Sequence, residues 1–339
     1  MRRTGRTDSL AMCARFLAGA ALVFLAAASA AADRVGWPVH LRFLTGPNGG
    51  QWHAMGEPIA DALAQAVLPT SNRTGGGLSN IEAVDRKAAD IAFTLGCFLG
   101  TFESGEEEYR AARPDNVAVL ANAYPQVLYV LVREDFAEER GIETMGDLLS
   151  KSAGMRFASL KPGTASEFIL AVLLKYGYET DFEKLAAAGW DISFADYAEI
   201  ADNLVAGDLD CFAYTAGTDV PLIHTIEEHI DVRILPIERD VLGVLSAKFR
   251  INIYEIAPGQ YRCAQETIPT LGDYTCIVVR KDFPDDLAAA IARTLWKSRD
   301  EIAAVVADFG ALSPETALPD GLFVHPGARR FWETVRLDT

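Results

Sequence analysis

The feature that most constrains this 339-residue chain is a unit that occurs twice: a short apolar strand, a turn rich in glycine or small polar residues, and an amphipathic helix. In the first copy Val39 to Thr45 read as a strand and run into Gly46-Pro47-Asn48-Gly49-Gly50. Trp52, Met55, Ile59, Leu63 and Ala66 then recur at helical spacing. Thr74-Gly75-Gly76-Gly77-Leu78-Ser79-Asn80 opens a second helix with Ile81, Val84 and Ala88 on one face, and the strand Asp90 to Leu95 follows. The second copy starts with the strand Met155 to Leu160, the turn Lys161-Pro162-Gly163-Thr164-Ala165-Ser166 and a helix whose apolar face holds Phe168, Ile169, Val172, Leu173 and Tyr176. Ile200, Leu204 and Val205 lead through Gly207 to the strand Asp210 to Tyr214. This grammar predicts parallel strands with right-handed crossovers, once in each of two lobes.

A shorter echo predicts how the lobes are joined. Leu128 to Phe136 and Cys276 to Phe283 are both apolar strands ending in Val-Arg-x-Asp-Phe. The first is expected to carry the chain out of lobe one and the second to bring it back. After it, Pro284 suits a helix first turn. Faces made by Leu287, Ile291 and Leu295, by Ile302, Val305 and Val306, and by Phe331 and Trp332 are expected to pack back on lobe one.

The amino terminus reads as a cleavable signal peptide over residues 1–32. Arg2, Arg3 and Arg6 make a basic start, Phe16 to Ala28 are almost wholly apolar, and Ala28 to Ala32 offer small residues for cleavage after Ala30 or Ala32. The apolar run is shorter than the ~20 residues of a spanning helix. Cys13 precedes it, so a lipid anchor on the first mature residue is not expected. The formal charge is −16. Residues 1–32 carry four arginines (Arg2, Arg3, Arg6, Arg15) and Asp8, so the remainder carries −19. Such a field repels nucleic acid and anionic lipid. It leaves an anionic solute open, because local backbone N–H groups can outweigh distant charge.

Export places the remaining cysteines, Cys97, Cys211, Cys263 and Cys276, in an oxidising compartment. Cys263 and Cys276 flank a proline-containing turn region and are the expected disulfide, a bridge that would add ~3 kcal/mol. Cys97 and Cys211 read as buried thiols.

Fingerprints of nucleotide folds, serine hydrolases and zinc sites are absent from the sequence. No metal or cofactor is expected. The candidate chemistry lies instead in three loops at the carboxyl ends of strands, where open α/β sheets bind ligands and helix first turns present free N–H groups. From these loops and nearby aromatics the candidate ligand-binding residues are Gly49, Gly50, Trp52, His53, Thr74, Gly75, Ser79, Asn80, Tyr124, Gly163, Thr164, Ser166 and Tyr214. Tyr254 also lies near a strand end.

The order and spacing of several segments resemble the TAXI family of solute receptors, the extracytoplasmic component of one class of TRAP transporters. They are Thr45 to Trp52, Thr74 to Asn80, Ala88 to Phe93, Tyr124-Pro125-Gln126, Lys161 to Ser166, Ile256 to Tyr261, Ile268-Pro269-Thr270 and His325-Pro326-Gly327-Ala328. Departures cluster near the candidate loops: Gln51 and His53 after Gly-Gly, Cys97-Phe98 after the strand, and a missing glycine in the second lobe. The resemblance implies an α/β type II periplasmic-binding-protein fold, with mixed sheets and two hinge strands. Lobe one is expected at 33–130 plus 277–339 and lobe two at 131–276. It further implies a non-catalytic periplasmic receptor that closes on a small polar or anionic solute, such as glutamate or a dicarboxylate, and docks on a membrane-embedded TRAP permease. Delivery to a membrane sensor is the alternative. A secreted enzyme using Cys97 or His53 is a third.

Overall fold

The computed structural model describes residues 34–104, 106–107 and 113–338, so the expected signal peptide lies outside the described residues. Residues 34–38 form a separate short turn, in which the Trp37 N–H donates to the Arg34 carbonyl. From Val39 onward the chain is a bilobed α/β fold with a mixed sheet, the architecture expected of a type II periplasmic-binding protein.

Lobe one opens with β1 (Leu41–Leu44), followed by the one-turn helix α1 (Gln51–Ala54) and α2 (Gly56–Ala66). The edge strand β2 (Thr70–Arg73), α3 (Gly77–Asp85), β3 (Ile91–Leu95) and α4 (Gly96–Phe102) complete its first half. Every residue of β3 is buried, as a parallel strand covered on both faces requires. The long strand β4 (Val117–Arg133) leads into lobe two: β5 (Arg156–Leu160), α5 (Ala165–Val172), β6 (Asp191–Ala195), α6 (Tyr197–Ala206) and β7 (Cys211–Ala216). Next come α7 (Pro221–His229), β8 (Val232–Ile234) and β9 (Asn252–Ile256). The chain returns along β10 (Ile268–Arg280) to α8 (Asp285–Lys297), a 3-10 turn at Ala307–Ala311 and α9 (Pro326–Asp338). As expected, α8 packs on α2 and α9 packs on α8.

The strand order is β2-β1-β3-β10-β4-β7-β5-β6, with β8 on β4 and β9 on β10. From its edge inward, each lobe therefore stacks three parallel strands and meets one of the two long antiparallel strands. At Val127, β4 changes partner: that residue pairs with Gly272 of β10 and with Ala216 of β7.

The repeat extends to side chains. Arg42 on β1 clamps Asp90 before β3 through its backbone N–H (3.0 Å), Nε (2.7 Å) and guanidinium (3.0 Å), and also donates to the Lys87 carbonyl. Arg156 on β5 does the same to Asp210 before β7, and its fourth contact is the Gly207 carbonyl. The Val-Arg-x-Asp-Phe echo has equal content, with Arg133 bonding Asp135 and Arg280 bonding Asp282. Burial alone would raise the Asp90 carboxyl, but its bonds to Arg42 and Arg280 outweigh that and hold it below the usual range.

The expected disulfide does not form: Cys263 and Cys276 are both free. The Cys263 N–H donates to Glu227 on α7 (2.7 Å), and the Cys263 side chain packs on the lobe-two core. Cys276 lies within β10, where its thiol donates to Asn122 (2.8 Å). An extended strand advances ~3.3 Å per residue, which carries Cys276 well away from the turn before β10. Cys97 and Cys211 are buried thiols.

Candidate ligand-binding site

A cavity of about 1060 Å³ lies between the lobes, walled by the carboxyl ends of β5 and β7, the turn after β1 and the 3-10 turn at Ala307–Ala311. Two glycines turn the loops on either side of it. Gly49 has φ +81° and Gly163 φ +84°, left-handed conformations that favour glycine. The loops also meet across the cleft, since a Cβ at Gly76 would lie 2.8 Å from the Gly163 carbonyl oxygen.

Of the residues predicted from sequence, Gly49, Gly50, Trp52, Thr164, Ser166 and Tyr214 line the cavity. Thr164 caps α5 by accepting from the Glu167 N–H (3.3 Å), and the Glu167 carboxylate accepts from the Gly163 N–H (3.2 Å). Ser166 Oγ accepts from the Thr215 N–H (2.9 Å). The Trp52 indole donates to Thr275 Oγ1 on β10 (3.0 Å) and stacks on Phe93. Much of the expected hydrogen-bonding capacity of the loops is therefore spent inside the fold.

Thr74, Gly75, Ser79, Asn80, His53, Tyr124 and Gly163 are not among the lining residues. Asn80 is fully buried, and its amide ties three elements together. Nδ2 donates to the Thr45 and Phe93 carbonyls (2.8 Å each), and Oδ1 accepts from the Gly76 N–H (3.1 Å). Gly75 leaves room for that amide, because a Cβ there would lie 2.1 Å from Asn80 Oδ1. Thr74 and Ser79 are exposed. The Tyr124 hydroxyl is buried behind the cavity and accepts from the Gln126 amide (3.2 Å), while Gln126 itself reaches the wall.

Four residues outside the predicted set form a polar bridge across the cleft. Gln51 Nε2 donates to Asp308 Oδ2 (2.7 Å), and its Oε1 accepts from the Gly217 N–H (2.7 Å). Asp308 Oδ1 accepts from the Thr218 N–H (3.0 Å) and hydroxyl (2.8 Å). Gln51 is one of the positions where the sequence reads as departing from the pattern it resembles. Asp308 follows an ordinary helical stretch and carries no local signal. The Gly217-Thr218 strap is held from behind by Tyr129, which donates to the Gly217 carbonyl (2.9 Å), and by Tyr261, which donates to the Thr218 carbonyl (3.0 Å).

Tyr214 differs from its polar neighbours. It is fully buried between Phe212, Tyr129 and Tyr197, yet its hydroxyl has no partner among the described residues. Such a hydroxyl costs about 1–3 kcal/mol when left unmade. Charge around the cavity is one-sided: Asp219 and Asp308 line it, and among the described residues no lysine, arginine or histidine does.

The described residues hold no cluster of three or more metal-ligating side chains, and no helix among them is long and apolar enough to cross a membrane. Cys97 is buried and its thiol is pushed up by burial and by nearby Asp273, the opposite of an activated nucleophile.

A model of the NMT1-like family matches residues 43–334. Among solved structures, the chain is similar to MatC from Rhodopseudomonas palustris with bound malate, at 15% identity over 89% of this chain and 98% of that one, with a TM-score of 0.53. It is also similar to the periplasmic binding protein BugD, at 13% identity over 89% and 94% of the two chains, with a TM-score of 0.51. At these identities the likeness is one of fold. The family match spans most of the chain: this protein belongs to the NMT1-like family and is built on the periplasmic-binding-protein fold.

Proposed function

We propose that this protein is an exported solute receptor that captures a small polar molecule between its lobes and presents it to a membrane permease of the TRAP type. The observation that carries the reading is the Tyr214 hydroxyl, buried in the wall of an interlobe cavity with no partner among the described residues. A bound solute would complete that hydrogen bond. Family and fold support binding without chemistry, and the TAXI-like order of segments supports the TRAP partner.

Closure would bend the two crossing strands near the Val127–Gly272 pair, where β4 changes partner. Gly49, Gly50 and Trp52 would meet the solute from lobe one, and Thr164, Ser166 and Tyr214 from lobe two. Differential affinity of the permease for the closed form would make delivery selective for loaded receptor.

The test is mass spectrometry of small molecules released by denaturing protein purified from its native host, followed by titration of the molecule found. Binding at a hundred times Kd should stabilise the fold by about 2.7 kcal/mol. A purified protein that releases nothing, and whose melting is unmoved by amino acids and organic acids at millimolar concentration, would sink the receptor reading.

A further inference from the structure

Resting on the receptor reading, we infer that the cleft is built for an organic solute with no net negative charge, and that Asp308 sets this selectivity. Where a sheet strand ends beside a cleft, consecutive backbone N–H groups are the ordinary seat for an anionic group. Here those donors are Gly217 N–H and Thr218 N–H, and both are occupied by the protein itself. Asp308 takes Thr218 N–H and its hydroxyl, and Gln51 takes Gly217 N–H. The Asp308 carboxylate thus fills the position a solute carboxylate would use.

The same holds at the facing helix. Thr164 satisfies the Glu167 N–H in the first turn of α5, and the Glu167 carboxylate satisfies the Gly163 N–H. An anionic solute would meet the carboxylates of Asp219 and Asp308 in the cavity lining.

The bonding partners of Asp308 are neutral groups, Gln51 and Thr218, so its charge is not cancelled by an ion pair there. Its field reaches the cavity wall: burial first, and the charge of Asp308 second, push the Tyr254 phenol above its ordinary range. Tyr197, Tyr214 and Tyr254 add aromatic surface to the lining. Aromatic faces attract organic cations and accept neutral apolar bodies equally well. An amine or amide donor beside Asp308, with its carbon skeleton against the tyrosines, fits both features.

Matched solutes that differ in charge test this: glutamine against glutamate, and 3-phenylpropylamine against 3-phenylpropionate. Their binding to the full mature chain is read by calorimetry. The member without net negative charge is expected to bind about tenfold tighter or more, as like charges juxtaposed on binding are strongly disfavoured. Asp308→Asn should bring that ratio towards one. A purely structural role for Asp308 would instead weaken both members of a pair together. On the unaltered protein, raising NaCl from 20 to 500 mM should shrink the same ratio, a reading that depends on no variant folding.

Tighter binding of the acids, or a ratio indifferent to both salt and Asp308→Asn, would overturn the inference and leave the receptor reading standing. So would identification of an anion as the solute carried by host-purified protein. Absence of any carried solute together with no binding by any of the four probes would instead remove the receptor reading.

Discussion

The Gly217 N–H donates to Gln51 Oε1 at 2.7 Å, joining the strap after β7 to the helix after β1 across the cleft. Gln51 and Asp308 together hold that strap through three bonds. The glycine is required by the approach: a Cβ at position 217 would lie 2.4 Å from Asp308 Oδ2 and 2.7 Å from Gln51 Oε1. Gly217→Ala should therefore wedge the lobes apart rather than unfold them. Ligand-free protein should show a larger radius of gyration in small-angle scattering, and overpacking of this kind costs ~1–3 kcal/mol, up to about a hundredfold in affinity for the closed form. Unchanged scattering with unchanged affinity would mean that the bridge does not hold the lobes.

Tyr214→Phe separates binding from folding. The substitution removes a buried hydroxyl without a described partner and leaves the ring on Phe212. Stability of the empty protein should rise by about 1 kcal/mol, because the cost of an unmade hydrogen bond disappears. Affinity for the solute should fall about tenfold, the worth of one direct hydrogen bond. A variant that melts earlier and binds as before would show that the hydroxyl serves the fold instead.

The lobes were readable from sequence because their signals are local. β3 is apolar at every position but Thr94, α5 begins with a Thr164 cap and Glu167 three residues on, and both crossing strands end in the same five-residue pattern. β2 was not readable. Thr70-Ser71-Asn72-Arg73 is a polar edge strand whose pairing comes wholly from β1. The binding residues were read only in part, for a related reason. Asn80 has the composition of a ligand contact, but its amide is consumed by three backbone groups that the sequence does not place near it. Asp308 and Gln51 meet across 257 positions, so no window of sequence contains their relationship. Some segments that carry the resemblance are structural. The buried His325 accepts from the Gly327 N–H through Nδ1 and so donates from Nε2 to the Phe283 carbonyl, tying α9 to the start of α8. Tyr261 buttresses the strap.

The paired arginine clamps should differ in cost. Asp90 and Asp210 are both nearly inaccessible, with side chains 2% and 6% exposed. Arg42→Ala leaves Asp90 with Arg280, whose guanidinium reaches it at 3.1 Å. Arg156→Ala takes away the guanidinium that clamps Asp210, leaving its bond to the Arg156 backbone N–H. Stranding a buried carboxylate costs about 3–5 kcal/mol, so Arg156→Ala should approach that range and Arg42→Ala fall below it. Urea unfolding of the two variants decides the order. Equal losses would show that Arg280 does not compensate.

Asp273 should give stability an acid-side slope of its own. Burial pushes this carboxyl up to about 6, despite bonds from the Tyr274 and Cys97 N–H groups and the Asn252 amide. In the unfolded chain it titrates near 3.8. Between those values the folded state holds the proton more tightly than the unfolded one, so stability declines as pH rises from about 4 to 6. Below that window the group contributes nothing, and above it the penalty is complete, at roughly 3 kcal/mol. Asp282 works in the opposite sense: Arg280 and Lys87 hold it down to about 2, so its contribution is present above pH 4 and is lost only on stronger acidification. The two groups therefore act in separate windows. Asp273→Asn keeps one acceptor for the Cys97 N–H and should flatten the stability curve between pH 4 and 6 while leaving the steeper loss below pH 4 in place. Denaturant midpoints measured at half-unit steps of pH would show it, and a slope in the upper window that survives the substitution would assign the titration to another group.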